Sequence, residues 1–189
     1  MGMMHLTPPV SGRAAGQGRT LLRIEGGGTL KQFFESERIR FVEVSEGLIK
    51  DYLTMVNDIE HVEKYLGGSH EPYTEEQEIS WVRSKLEEKA AVFSMLEKGS
   101  DQFIGNIELM DIRDGAGELG IAVTAEKQGM GYGTEAVAAL TAYGLEQLGL
   151  RRIFLRVHPG NLRAIRVYTK CFFREYRRTE EHVYMEFTR

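Results

Sequence analysis

From Arg38 onward, apolar and polar positions repeat with periods that change several times along the chain. Arg38-Ile39-Arg40-Phe41-Val42-Glu43-Val44 alternates with period two and predicts a strand. Ser45 is placed to cap a following helix in which Leu48, Ile49, Tyr52, Leu53 and Val56 share one face. A polar connection ends at Gly67-Gly68-Ser69-His70-Glu71-Pro72. Thr74-Glu75-Glu76-Gln77 then has the form of a capping box, in which the Thr side chain accepts from a free backbone N–H and the Gln side chain reaches back. It opens a helix that turns Ile79, Val82 and Leu86 inward, with Trp81 beside them. Strands are predicted at 90–96 and 103–112, joined by a turn at Lys98-Gly99-Ser100-Asp101, and at 118–124 after a turn at Gly115-Ala116-Gly117. A glycine-rich loop at 128–133 leads into a helix over 134–148 with Val137, Leu140 and Leu148 inward. A strand at 152–157, a helix at 161–170 after Pro159-Gly160, and two short strands near 172–178 and 182–187 close the chain.

That order predicts an α/β domain: a mixed central sheet of about six to seven strands with helices on both faces. The strand-helix-strand unit from 118 to 157 should be a parallel, right-handed crossover. Sheets of this kind bind ligands at the carboxyl ends of their strands, where a helix begins.

The N-terminal stretch lacks this order. Residues 1–28 hold seven of the 21 glycines, together with Pro8 and Pro9, and no sustained period. Residues 1–36 are therefore expected to form a flexible extension or a cloning remnant, with room for a short ordered piece at 21–24, and 37–189 to form the domain. A partner-binding arm is the alternative. At 189 residues, 42% hydrophobic and 28% charged, the chain has the composition of an ordinary folded domain. The single cysteine, Cys171, allows no intrachain disulfide and makes a reducing, cytoplasmic setting the expectation. The five histidines have no ligand-like neighbours at zinc spacing, so no metal is expected. A net charge of −4 argues against a general nucleic-acid binder. No apolar run approaches the roughly 18 residues that span a bilayer, and 1–19 lack a signal-peptide core, so no membrane partner is expected.

The first segment with chemistry in it is Gln128-Gly129-Met130-Gly131-Tyr132-Gly133-Thr134, between a strand and a helix. Its glycines let the backbone come close to a ligand. The helix start behind them offers unpaired N–H groups and the positive end of the dipole, a seat for phosphate or pyrophosphate. No Gly-Lys-Ser/Thr ending is present, so this is not a P-loop, and the glycine spacing does not fit a dinucleotide fingerprint.

The second segment is His158-Pro159-Gly160-Asn161-Leu162-Arg163-Ala164-Ile165-Arg166-Val167-Tyr168-Thr169-Lys170-Cys171-Phe172-Phe173. Q-x-x-G-x-G at 128–133, followed by N-x-x-A-x-x-x-Y-x-K at 161–170, resembles the GNAT superfamily of N-acetyltransferases. Phe103-Ile104-Gly105-Asn106-Ile107 and Glu118-Leu119-Gly120-Ile121-Ala122-Val123 resemble that family's central strands, in particular the branch of ribosomal-protein N-terminal and spermidine acetyltransferases. The resemblance covers 38–189. It implies a single-domain fold with a splayed strand pair, 118–124 against 152–158, that admits acetyl-CoA. It further implies that Gln128, Gly129, Gly131, Gly133 and Thr134 hold the pyrophosphate through backbone N–H groups. Ile121 and Val123 would pair with the pantetheine arm as an added strand does, Asn161 would hydrogen-bond that arm, and Tyr168 would sit beside the sulfur.

The chemistry agrees with that implication. Acylation of an amine by a thioester needs an unprotonated amine, a donor to the oxyanion and a proton for the leaving thiolate. With ordinary values of about 8.5 for a thiol and about 10 for a tyrosine, Tyr168 is a suitable acid, and an N–H on the 121–123 strand a suitable oxyanion donor. Where some family members place a glutamate as base, this chain has Arg156, which cannot serve. Glu118 is the next candidate base, acting through water, and Glu108 a weaker one. Cys171 has no base nearby and reads as a buried structural thiol, and His158 as a residue that orders its loop. Phe172 stands where the family commonly has glycine, so the bend after the helix is expected to differ.

The acceptor implied is a small-molecule amine or a peptide N-terminus. The acidic residues Glu71, Glu75, Glu76 and Glu78 would attract a cationic one, although acidic residues also belong in any helix's first turn. Of the eight arginines between Arg151 and Arg178, some could reach the coenzyme's 3′-phosphate while most form a solvated face. A homodimer is left open. Two other readings stay open as well: a degenerate fold that binds acetyl-CoA without turnover, and a nucleotide-binding regulator.

Overall fold

The computed structural model describes residues 20–23, 29–63 and 71–189. Its elements in order are β1 (Thr20–Arg23), β2 (Thr29–Glu35), β3 (Ile39–Val42), α1 (Ile49–Val56), α2 (Glu75–Glu87), β4 (Ala91–Glu97), β5 (Phe103–Arg113), β6 (Ala116–Val123), α3 (Tyr132–Glu146), β7 (Arg152–Val157), α4 (Leu162–Lys170), β8 (Arg174–Arg178) and β9 (Val183–Thr188). Among the described residues nine strands form one mixed sheet, in the order β1-β2-β3-β4-β5-β6-β7-β9-β8. Every pairing is antiparallel except β6 with β7.

The sheet is larger than the six to seven strands expected, because β1 and β2 extend it at one edge. Both lie within 1–36: Thr20–Arg23 falls on the short ordered piece for which the sequence leaves room at 21–24, while Thr29–Glu35 is a strand where a flexible extension is expected; residues 1–19 and 24–28 lie outside the described residues, as does the connection at 64–70. The cause is aromatic burial. Phe34 is buried and stacks on Phe41 at 4.2 Å and on Tyr143 at 4.5 Å, while Phe33 meets Phe93 edge-on at 5.1 Å. A bulge between Gln32 and Phe34 breaks the register with β3, so two successive phenylalanines pack on the same core. A bulge adds a residue to one strand, and that hides the period-two signal.

One core lies between the sheet and α3 and α4, built on Ile39, Phe41, Ile107, Val137, Leu140, Ile153 and Leu155. The other lies between β3–β5 and α1 and α2, around Tyr52, whose hydroxyl accepts from the Ser45 N–H and bonds Ser94 at 2.6 Å. The capping box forms as the sequence predicts: Thr74 N–H donates to Gln77 Oε1 at 2.8 Å and Gln77 N–H to Thr74 Oγ1 at 3.4 Å. Two expected core residues are exposed. Leu148 falls beyond the end of α3, in the turn before Gly149, and Leu86 lies on the open side of the last turn of α2.

The sheet opens beside the glycine loop. β6 and β7 pair only from Ala116–Arg152 to Glu118–Phe154, although β6 continues to Val123 and β7 to Val157. This is the splayed pair the sequence implied. No helix among the described residues is long and apolar enough to cross a membrane.

Candidate active site

The loop after β6 is shaped to leave its amides free. A single 3-10 turn at Ala125–Lys127 ends at Gln128, and Gly129 and Gly131 take the left-handed region at φ 80° and 88°, which favours glycine. α3 starts at Tyr132. The N–H groups of residues 129–134 find no acceptor among the described residues, which is the state of a helix start awaiting an anion. Gln128 differs: its N–H bonds Ala125 O at 3.2 Å. Its side chain organises the loop instead, donating to Val123 O at 2.8 Å and accepting from Arg163 Nη2 at 2.5 Å.

The loop is tied down by residues that local sequence patterns do not mark. Tyr132 donates its hydroxyl to Glu97 at the end of β4, and Glu97 also takes Lys127 Nζ at 3.0 Å and Ser100 Oγ at 2.6 Å. Hydrogen bonds from Ser100, Tyr132 and Lys127 hold the Glu97 carboxyl down at about 2.

The gap offers a free strand edge. N–H and C=O of one residue leave a strand on the same side, and the sides alternate. The Thr124 N–H donates to Ile104 O on the β5 side at 2.9 Å. The polar backbone groups of Ile121 and Val123 therefore leave on the other edge, toward the gap. The Val123 carbonyl already accepts from Gln128, which leaves its N–H and both groups of Ile121 for an incoming chain.

α4 closes the site. Asn161 is its N-cap: Oδ1 accepts from the Ala164 N–H at 3.1 Å, so only the side-chain N–H groups remain to meet a ligand. Gly160 N–H donates to His158 Nδ1 at 3.0 Å, an ordering role for His158. Tyr168 is 7% exposed, in the cluster that holds Leu155 and Val157 of β7, with Ile121 and Val123 packed against it. No hydrogen-bond partner for its hydroxyl is found among the described residues. Burial, and next the nearby Cys171, push this hydroxyl well above its ordinary value. Cys171 is buried; its Sγ lies 3.3 Å from Thr134 O, and desolvation raises it to about 11, an unreactive thiol.

After α4 the chain makes a Schellman turn: Phe173 N–H bonds Tyr168 O at 3.0 Å and Phe172 N–H bonds Thr169 O at 3.1 Å. Phe172 sits at φ 66°. The bend is thus left-handed, the form that favours glycine, with a phenylalanine in it. On the opposite face, Glu118 takes Arg156 Nε at 2.9 Å through Oε1, and Glu108 takes Lys85 Nζ at 3.4 Å. Among the described residues no group of three His, Cys, Asp or Glu is placed to hold a metal.

A diphosphate on a long, amide-bearing arm fits what is present: loop amides at one end, a strand edge beside them and a buried hydroxyl, all without partners among the described residues. Residues 38–174 match the family model described as an acetyltransferase (GNAT) domain. The chain belongs to the GNAT acetyltransferase family. Among the relatives, the uncharacterized N-acetyltransferase p20 from Bacillus licheniformis is 33% identical over 92 residues, 48% of this chain and 52% of its own length. Spermidine N(1)-acetyltransferase from Vibrio cholerae serotype O1 is 28% identical over 120 residues, 62% of this chain and 67% of its own. The chain thus spans about half to two thirds of the length of the curated relatives it matches. A crystal structure of spermidine N-acetyltransferase from Vibrio cholerae, in complex with CoA and spermine, shares the GNAT fold at a TM-score of 0.73 and 20% identity, over 81% of this chain and 96% of that one. β1 and β2 lie ahead of the matched GNAT region.

Proposed function

We propose that the protein transfers an acetyl group from acetyl-CoA to the primary amine of a small molecule or a peptide N-terminus by direct attack. The observation that carries this reading is the run of unpaired N–H groups at 129–134 beside the open edge of β6. Gly129, Gly131, Gly133 and Thr134 hold the pyrophosphate by their amides, with Gln128 fixing the loop. Ile121 and Val123 pair with the pantetheine arm, and the side-chain N–H of Asn161 donates to it.

The amine nitrogen forms a bond to the thioester carbon, and the C–S bond breaks. A β6 N–H in the 121–123 stretch holds the oxyanion. Tyr168 donates its proton to the departing thiolate; burial keeps the phenol protonated across the working range and also makes it a weaker donor than an ordinary tyrosine. Arg156 engages one oxygen of Glu118, leaving Oε2 to accept from the amine or from a water that carries its proton away. The similarity to spermidine acetyltransferases supports a small cationic amine, and so does the exposed acidic start of α2, with Glu75 and Glu76 in its first turn. The buried free thiol of Cys171 suits a reducing, cytoplasmic setting.

A second reading, an acetyl-CoA-binding module without turnover, draws on the Arg156–Glu118 ion pair, which ties up the candidate base. A panel of polyamines, other small amines and peptides, assayed with acetyl-CoA for thiol release, separates the two. Release above hydrolysis with at least one amine is expected. Binding of acetyl-CoA with no release from any amine would favour the module.

A further inference from the structure

Arg38 lies immediately before β3, remote in sequence from the glycine loop, yet its side chain ends against it. Nη1 donates to the Met130 carbonyl at 3.1 Å, and the guanidinium lies 4.4 Å from the centre of the Tyr132 ring. A Cβ built on Gly131 would stand 3.2 Å from Nη2. The same residue grips Glu135 twice, through Nε at 2.8 Å and through its backbone N–H at 2.7 Å, and Ser36 Oγ adds a third bond at 2.7 Å.

Glu135 sits in the first turn of α3. A carboxylate there occupies the positive end of the helix, the same potential an anionic ligand would use. Burial acts to raise its pKa, but the bonds from Arg38 and Ser36 outweigh that and hold it below the ordinary value. The carboxylate is therefore charged, and unless it is neutralised it opposes any phosphate seated on the amides of 129–134. Arg38 supplies the neutralising charge and at the same time fixes a carbonyl of the loop. Turning the Met130 carbonyl toward Arg38 keeps it away from the anion seat.

We propose that Arg38 is a positioning residue for the acyl donor: by pairing with Glu135 and holding the Met130 carbonyl, it keeps the glycine loop receptive to the coenzyme's diphosphate. This rests on the acetyl-CoA assignment made above. It gives a function to the junction between β2 and β3.

The test is calorimetric titration of the full chain with acetyl-CoA, for wild type, Arg38→Ala, Arg38→Lys, Glu135→Gln and the Arg38→Ala/Glu135→Gln double variant, with circular dichroism to confirm folding. Arg38→Ala should weaken binding at least tenfold. The double variant should recover part of that loss, because the unneutralised carboxylate is gone. Arg38→Lys should retain more affinity than Arg38→Ala, since it keeps the charge while losing the planar fork. In steady state the acetyl-CoA KM should rise in Arg38→Ala while kcat at saturating donor stays within about twofold, a split that general loosening of the fold would not give. Wild-type affinity in folded Arg38→Ala, or a double variant no better than Arg38→Ala, would overturn the proposal alone. Failure of the wild type to bind acetyl-CoA would instead remove the cofactor assignment on which it rests.

Discussion

Single residues carry most of the chemistry, and Phe172 carries a conformational cost. Tyr168→Phe keeps the ring in its buried site and removes only the proton, so acetyl-CoA affinity should survive while kcat falls about 10²-fold or more. Because burial raises the Tyr168 hydroxyl, it stays protonated up to and beyond its ordinary value near 10. The wild-type kcat/KM profile should therefore rise as the acceptor amine deprotonates, with no tyrosine-dependent fall below pH 10. A fall below pH 10 that disappears in Tyr168→Phe would contradict the assigned direction. Phe172 holds the left-handed residue of the Schellman turn with a Cβ that conformation disfavours, and its side chain is exposed. Phe172→Gly should stabilise the protein by about 1 kcal/mol, read as a shift in denaturant midpoint with unchanged slope. Loss of stability would mean that the exposed ring makes contacts worth more than the strain.

At the level of elements, the β1–β2 hairpin is part of the sheet rather than an appendage. Phe34 joins it to the core through Phe41, Phe93 and Tyr143, beside Phe33, while Leu30 enters the other core. Phe34→Ala should cost about 3–5 kcal/mol in urea unfolding; a cost under about 0.5 kcal/mol would show that the hairpin is dispensable. This hairpin was also the part least legible in the sequence. Helix caps, the strands at 103–113 and 152–157 and the glycine loop follow local rules that act within a few residues, so the sequence states them. β2 fails those rules because its bulge puts Phe33 and Phe34 side by side on one core. The site divides in the same way. The loop amides, the β6 edge and Tyr168 stand on motifs, whereas Glu97 and Arg38 reach the loop from strand ends 35 and 92 residues away in sequence, with no nearby signal. Asn161 and Gln128 are singled out by the sequence as candidates, but their use of side-chain oxygens inside the protein is visible only in three dimensions.

Across the whole molecule, charge is unevenly spread around a net −4. Glu75 and Glu76 crowd the exposed start of α2, while Arg163, Arg166 and Lys170 line the exposed side of α4. An acidic face presented to a cationic amine acts at long range and is screened by salt. Glu75→Gln with Glu76→Gln should raise the acceptor KM at low ionic strength and matter less at high ionic strength; equal KM values at low salt would leave those glutamates as ordinary first-turn residues. The central claim is that the glycine loop seats the coenzyme, and calorimetry of Gly131→Glu with acetyl-CoA tests it most directly. Gly131 has φ 88°, a backbone conformation that strains any side chain, and a Cβ there would stand 3.2 Å from Arg38 Nη2. Wild type should bind and the folded variant should lose affinity by about 10²-fold or more, as a bulky anion closes the anion seat; unchanged affinity in a folded Gly131→Glu protein would contradict the account.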